Sequence, residues 1–201
     1  MNRLWKLFVG ALAVLAAPVA GHGYLAEPAS RNLVRNSDYC PACLNGGGTW
    51  QVYASGLPGR YGVCGDPYRG PRPHETPGRA VQTYRAGQAI KVRVQLTANH
   101  LGRWGLKLCP SSKPTQSCFN RLPLKRTDGK RYTNVPGGRT AFTAVYRLPK
   151  GLKCSKCTLQ WTYETANSCN LPGSPRIGGL PSCQQSPNWE RFWNCADVRI
   201  V

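Results

Sequence analysis

The chain has 201 residues and carries 27 lysines and arginines against eight acids, a formal net charge of +19. That length suffices for one domain with a substantial core, and recurring aromatic and β-branched residues exclude a disordered chain. A surface this basic attracts nucleic acid, acidic polysaccharide or anionic headgroups, but its cations are scattered, without a long run, so charge alone names no partner.

The first expectation in chain order is a secretory signal over residues 1–21. Arg3 and Lys6 form a short basic start, and residues 7–16 are an uncharged apolar run too short to span a bilayer. Val19 and Gly21 are small residues at the −3 and −1 positions of a cleavage site. Cutting after Gly21 leaves 180 residues with a net charge of +17, since the signal removes two cations and no acid. It also makes His22 the new N-terminus. Cleavage after Ala20 is the alternative, and it would deprive His22 of its amine. No later apolar run is long enough to cross a membrane, so an exported, soluble product is expected. All ten cysteines follow the signal, and an even, high count in an exported chain reads as about five disulfides.

Residues 23–26 are a short extended start, ended by Glu27-Pro28. Residues 31–87 then hold Cys40, Cys43 and Cys64 among many glycines and prolines, with turn signals at Asn45-Gly46-Gly47-Gly48 and Gly65-Asp66-Pro67. This reads as a long disulfide-pinned loop region containing short helical turns, a feature usually tied to function. Its aromatics Trp50, Tyr53 and Tyr61 either fill a small satellite core or face a ligand.

The pattern then changes to period two. Ile90, Val92, Val94 and Leu96 alternate with Lys91, Arg93 and Gln95, the mark of a half-buried strand. Residues 104–108 read as the next strand, followed by a loop with Cys109 and Cys118. Residues 140–148 alternate again, with Phe142, Ala144, Tyr146 and Leu148 as the better core face. A turn with Cys154 leads to a strand over 157–165, a second loop over 166–187 carries Cys169 and Cys183, and 194–201 closes the chain as a strand. No convincing amphipathic helix exceeds two turns. The expected fold is an all-β antiparallel sandwich of roughly seven strands, of the immunoglobulin or fibronectin-III kind, forming a single domain over 22–201.

Few residues can carry chemistry. The histidines are His22, His74 and His100. No Gly-x-Ser-x-Gly elbow or phosphate loop is present. Glycoside hydrolysis needs paired carboxylates, and the late candidates are Glu164, Glu190 and Asp197, the last read as structural within its strand. Cys40-Pro-Ala-Cys43 and Cys154-Ser-Lys-Cys157 imitate a zinc site, but export favours disulfides, and Cys109 with Cys118 and Cys154 with Cys157 are the expected local pairs. His22 at a new N-terminus would offer an amine and a ring nitrogen. With the His100 ring these make three nitrogens, a set that suits copper. His100 stands where a strong strand ends; its bland alternative is a surface histidine without a role. His74 reads as a loop residue outside the site.

Four segments together resemble a known family. They are His22-Gly23-Tyr24-Leu25 after a signal, Thr97-Ala98-Asn99-His100 after an alternating strand, Trp161-Thr162-Tyr163, and Phe192-Trp193-Asn194-Cys195-Ala196-Asp197-Val198. In order and spacing they are similar to the lytic polysaccharide monooxygenases, also called chitin-binding type-4 proteins, and most to the invertebrate, protist and virus branch. The resemblance implies a copper brace from His22 and His100. It implies Ala98 as the small residue crowding one axial position, Phe192 as the aromatic at the other, and Glu190 as a polar neighbour of the site. Tyr24, with Trp50, Tyr53 and Tyr61, would contribute to a flat substrate face.

The implied reaction uses one copper ion, an external reductant, and dioxygen or hydrogen peroxide to oxidise C1 or C4 of a sugar and break a β-1,4 bond. The implied partner is an insoluble polysaccharide: chitin first, cellulose second, with an acidic wall glycan suggested by the charge. Neither nucleic acid nor membrane is expected as a partner, and a secreted monomer is. The rival reading is a non-catalytic polysaccharide-binding module of the same fold.

Overall fold

A computed structural model describes residues 22–35, 40–53, 61–185 and 189–201. The expected signal, residues 1–21, lies outside the described residues, as do 36–39 and 54–60 of the long loop region. The strands form two sheets. The first has the order β1 (His22–Glu27), β3 (Ala89–Ala98), β7 (Ala141–Arg147), β5 (Lys125–Arg126). The second has the order β2 (Gln82–Tyr84), β9 (Arg191–Ile200), β8 (Cys154–Glu164), β4 (Arg103–Cys109), β6 (Tyr132–Asn134). The architecture is an immunoglobulin-like β-sandwich.

The alternating stretches form the sandwich for the expected reason. Ile90, Val92, Val94 and Leu96 of β3 are buried, as are Phe142, Ala144 and Tyr146 of β7. They meet Trp104, Leu106 and Leu108 of β4, Leu159, Trp161 and Tyr163 of β8, and Phe192 and Val198 of β9 in one apolar core. Full burial of each such side chain stabilises the fold by about 1.5–3 kcal/mol.

Three short strands were not foreseen. β2, β5 and β6 have two or three residues each, below the length at which alternation can show. β2 also departs from the antiparallel expectation, because it pairs parallel with β9, Gln82 opposite Val198. The loop region therefore donates a strand at its end. It contains the expected short helical turns as well: α1 (Arg31–Val34), α2 (Thr49–Tyr53) and a single 3₁₀ turn over Pro73–Glu75. Beyond it, α3 (Gln116–Arg121) is capped by Thr115, whose hydroxyl accepts from the Cys118 amide at 3.2 Å.

The loop region lies on the outer face of the second sheet, and specific bonds hold it there. Cys64 is joined to Cys195 of β9. The buried Arg31 guanidinium donates from Nε and Nη2 to both carboxylate oxygens of Asp197, at 2.8 and 2.5 Å, and from Nη1 to the carbonyl of His74. His74 is itself buried, its Nδ1 2.7 Å from Asp66 Oδ1, so it belongs to this structural network. The other disulfides are Cys40–Cys43, Cys109–Cys118, Cys154–Cys157 and Cys169–Cys183.

Candidate functional site

One end of the sandwich gathers the residues singled out above. His22 opens β1 and pairs with Ala98 of β3, two residues before His100. A loop turning out of β3 carries His100. Asn99 shapes it: its Oδ1 accepts from the Leu101 amide at 2.7 Å, and its Nδ2 donates to the Pro136 carbonyl at 2.9 Å. Leu101 and Gly102 follow with φ of +55° and +99°, and the chain then enters β4. The His100 carbonyl accepts from the Ala166 amide at 3.0 Å, which ties the loop to the chain leaving β8.

Phe192 lies beneath His22, fully buried, with ring centroids 6.4 Å apart in an edge-to-face arrangement. Tyr163, opposite Phe192 in the β8–β9 register, stacks on it at 6.1 Å. The Tyr163 hydroxyl accepts from the His100 amide at 3.0 Å and donates to the Leu101 carbonyl at 2.8 Å. Glu190 precedes β9. Its carbonyl accepts from both the amide and the hydroxyl of Thr165 at 3.1 Å, and its Oε1 accepts from Asn45 Nδ2 at 3.3 Å.

The electrostatics show that these groups share one environment. Burial lowers the His100 pKa from its ordinary value; the Glu190 carboxylate opposes that shift and the neighbouring His22 adds to it. Burial also raises the Tyr163 phenol well above its usual value, so it stays protonated and keeps its bond to Leu101. His100 Nδ1 lies 2.9 Å from the Asn167 side-chain amide. With the amide nitrogen facing it, Nδ1 accepts; with the amide turned over, its oxygen accepts from a protonated Nδ1 and the Nε2 lone pair is free for a metal.

Asn45, Tyr163 and Asn167 were not given roles from the sequence. Tyr163 carried a signal, since it belongs to one of the recognised segments. Asn45 was marked only as part of a turn and Asn167 carried no signal, because each reaches its partner only through loop folding. The aromatics proposed for a substrate face occupy different settings. Trp50 is 83 % exposed on α2, and Tyr24 is half-buried on β1. Tyr53 packs on Trp189 at 5.4 Å, and Tyr61 stacks on Trp193 at 4.4 Å. The Arg191 guanidinium sits over the Trp189 ring, 4.4 Å from its centroid.

A two-sheet sandwich with a pair of histidines at one end, an aromatic beneath His22 and a carboxylate near His100 defines the class of protein. Comparison makes the class specific. Residues 22–198 match the family described as "Lytic polysaccharide mono-oxygenase, cellulose-degrading", and the chain belongs to the lytic polysaccharide mono-oxygenase family. The AA15 lytic polysaccharide monooxygenase of Thermobia domestica, solved in the Cu(I) state, is similar in structure. It aligns with a TM-score of 0.70 and 28% identity, over 89% of this chain and 98% of that one. The lytic polysaccharide monooxygenase aasB of Emericella nidulans is 32% identical over 114 residues, 51% of this chain. The chain spans about a third, 35%, of that relative's length.

Proposed function

We propose that the mature chain begins at His22 and is a secreted, copper-dependent monooxygenase that cleaves β-1,4 bonds of chitin, cellulose being the second choice of substrate. The observation that carries this reading is the convergence of His22, His100, Phe192 and Glu190 at one end of the sandwich. Family membership and the copper-bearing neighbour support it. Five disulfides support export, and among the described residues no helix is long and apolar enough to cross a membrane.

The donor set fits copper. Two half-exposed imidazoles share one environment, and imidazole nitrogen suits this metal. Among the described residues no cluster of three or more His, Cys, Asp or Glu is placed to hold a metal, so a third donor must come from elsewhere. A free α-amine on His22 would supply it. Copper held there would supply one-electron and oxygen chemistry to a sugar carbon, driven by an external reductant.

The chain's own residues then have distinct tasks. Phe192 offers no ligating atom and keeps water from beneath the site. Ala98, paired with His22 across β1 and β3, takes the place of the small residue that crowds one side of the site. Glu190 places a hydrogen-bond-accepting carboxylate near His100. Asn167 and Tyr163 hold the His100 ring and backbone in place. Tyr24 and Trp50 contribute to the surface on which the polymer lies.

The test is mass spectrometry of products from chitin and from cellulose, with copper and ascorbate, for the wild type and His100→Ala. Oxidised oligosaccharides from the wild type alone are expected. Polymer binding without oxidised products, unchanged by copper, would show a binding module instead. Sequencing of the secreted protein is expected to begin at His22, and any other start removes the amine donor.

A further inference from the structure

The outer face of the second sheet carries a feature that the oxidative reading does not use. On β4, Trp104, Leu106 and Leu108 face the core, so Arg103, Gly105 and Lys107 face outward. Gly105 pairs with Tyr132 of β6, and a Cβ there would stand 3.0 Å from the tyrosine ring. The missing side chain lets that ring lie down on the sheet. A cleft results, lined by Gly105, Tyr132, Lys107, Arg131, Arg191 and Glu164. A second cleft continues from it across the same Arg131 and Tyr132 to Arg103, Arg126 and Lys130.

The charges in this strip do not balance. Six cations line the two clefts. The carboxylates that meet them are Glu164 and Asp128. Glu164 is already engaged by Arg103 at 2.8 Å and by Arg191 at 3.5 Å, and Asp128 by Arg126 at 2.8 Å. Lys107, Lys130 and Arg131 are left without an ion-pair partner among the described residues. Lys107 is half-buried, and its ammonium pKa is lowered by desolvation, with Arg191 and Arg131 adding to the shift and Glu164 opposing it. Like charges held together in a partly dry cleft repel, and an anion entering the cleft relieves that repulsion.

We propose that this strip is a binding site for the acidic groups of a polysaccharide chain, carboxylates or sulfate esters, separate from the histidine pair. The two clefts share Arg131 and Tyr132, so an aromatic ring lies among the cations, which suits anionic groups carried along a sugar chain. No exposed large hydrophobic residue lines them, which argues against insertion into a lipid surface. The choice of a glycan over nucleic acid rests on the proposed function; the cation excess does not.

The test measures binding of the mature, copper-loaded protein to polygalacturonate, dextran sulfate and neutral dextran from low to high salt. Lys107→Gln/Arg131→Gln is compared with Lys91→Gln/Arg147→Gln, which removes the same charge from the outer face of the other sheet. The cleft pair is expected to weaken binding to one or both polyanions at least tenfold and to flatten its salt dependence. The control pair is expected to change it less than twofold, and neutral dextran should respond to neither. The polyanion whose binding collapses shows whether carboxylate or sulfate is read. Arg131→Glu, an exposed change with no packing role, should reproduce the loss if the double variant folds poorly. Equal losses in the two double variants would mean that net charge acts without a site and would overturn the proposal. Tighter binding to a DNA duplex of matched charge, lost in the cleft variants, would overturn the assignment to a glycan. Neither result depends on oxidised products, so failure here is distinct from failure of the oxidative reading.

Discussion

At the scale of single residues, Tyr163 links the core to the site. Its ring stacks on Phe192, and its hydroxyl bridges the His100 amide and the Leu101 carbonyl. Tyr163→Phe keeps the stacking and removes the bridge, leaving two backbone groups without their partner. The expected cost is about 1–3 kcal/mol in urea unfolding, the penalty for an unmade buried hydrogen bond. Faster amide exchange at His100, whose N–H loses its acceptor, should accompany it. A variant with wild-type exchange at that amide would show that the Asn99 turn alone holds the loop. Asp197 is the counterpart on the other end of β9. Its carboxylate is wholly occupied by Arg31, the Gly78 amide and the pinning of the loop region, which accounts for an acid inside a buried strand.

At the scale of elements, the turn from β3 to β4 sets where His100 stands. Gly102 has φ +99°, and a Cβ there would lie 2.0 Å from the Glu164 carbonyl oxygen. Both the backbone region and the close approach of β8 demand glycine. Gly102→Ala is expected either to fail to fold or to unfold at least 3 kcal/mol more easily, in line with a strained backbone combined with a steric clash. Near-wild-type thermal unfolding would show that β4 and β8 can separate at this end without cost. The two central strands of the second sheet illustrate a different effect. Residues 157–161 of β8 and 192–198 of β9 are buried without interruption. One side faces the sandwich core and the other lies under the loop region, so polar Thr158, Gln160 and Asp197 are buried on the outer side with their bonds made.

At the scale of the whole molecule, one disulfide differs from the rest. Cys64–Cys195 closes 131 residues, whereas Cys154–Cys157 closes three. Loop-closure entropy assigns the long link about 5 kcal/mol and the short one about 2 kcal/mol, before any native-state strain. Removing both cysteines of the long link is therefore expected to lower the urea midpoint more than removing the short link, and an equal loss would contradict this. Alkali supplies a second test. Burial raises the phenols of Tyr84 and Tyr146 from 10.0 to about 12. Between those values the unfolded chain releases protons that the folded chain keeps. The stability these groups contribute is thus complete below pH 10 and lost as pH climbs toward 12, by at most about 1.4 kcal/mol per unit for each tyrosine. Tyr146→Phe should make the decline in urea midpoint from pH 9 to 11.5 shallower, and an unchanged slope would place the effect elsewhere.

The sequence by itself determined the strands whose two faces meet different solvents. β3 and β7 have one side in the core and one in water, so their alternation is written directly in residue order. It also marked His22 at the start of β1, His100 just past the end of β3, and the late aromatic run. The tertiary structure alone decided what depends on distant segments meeting. The burial of β9 on both faces erased its alternation, because the covering loop region comes more than a hundred residues earlier. The short strands β2, β5 and β6 form only because a neighbouring edge accepts them. Asn167 reaches His100 and Asn45 reaches Glu190 across loops with no local pattern. The cationic strip gathers Lys107, Arg131 and Arg191 from three strands' neighbourhoods, which a scattered linear charge cannot reveal. Local periodicity records what one segment buries; it does not record which other segment does the burying.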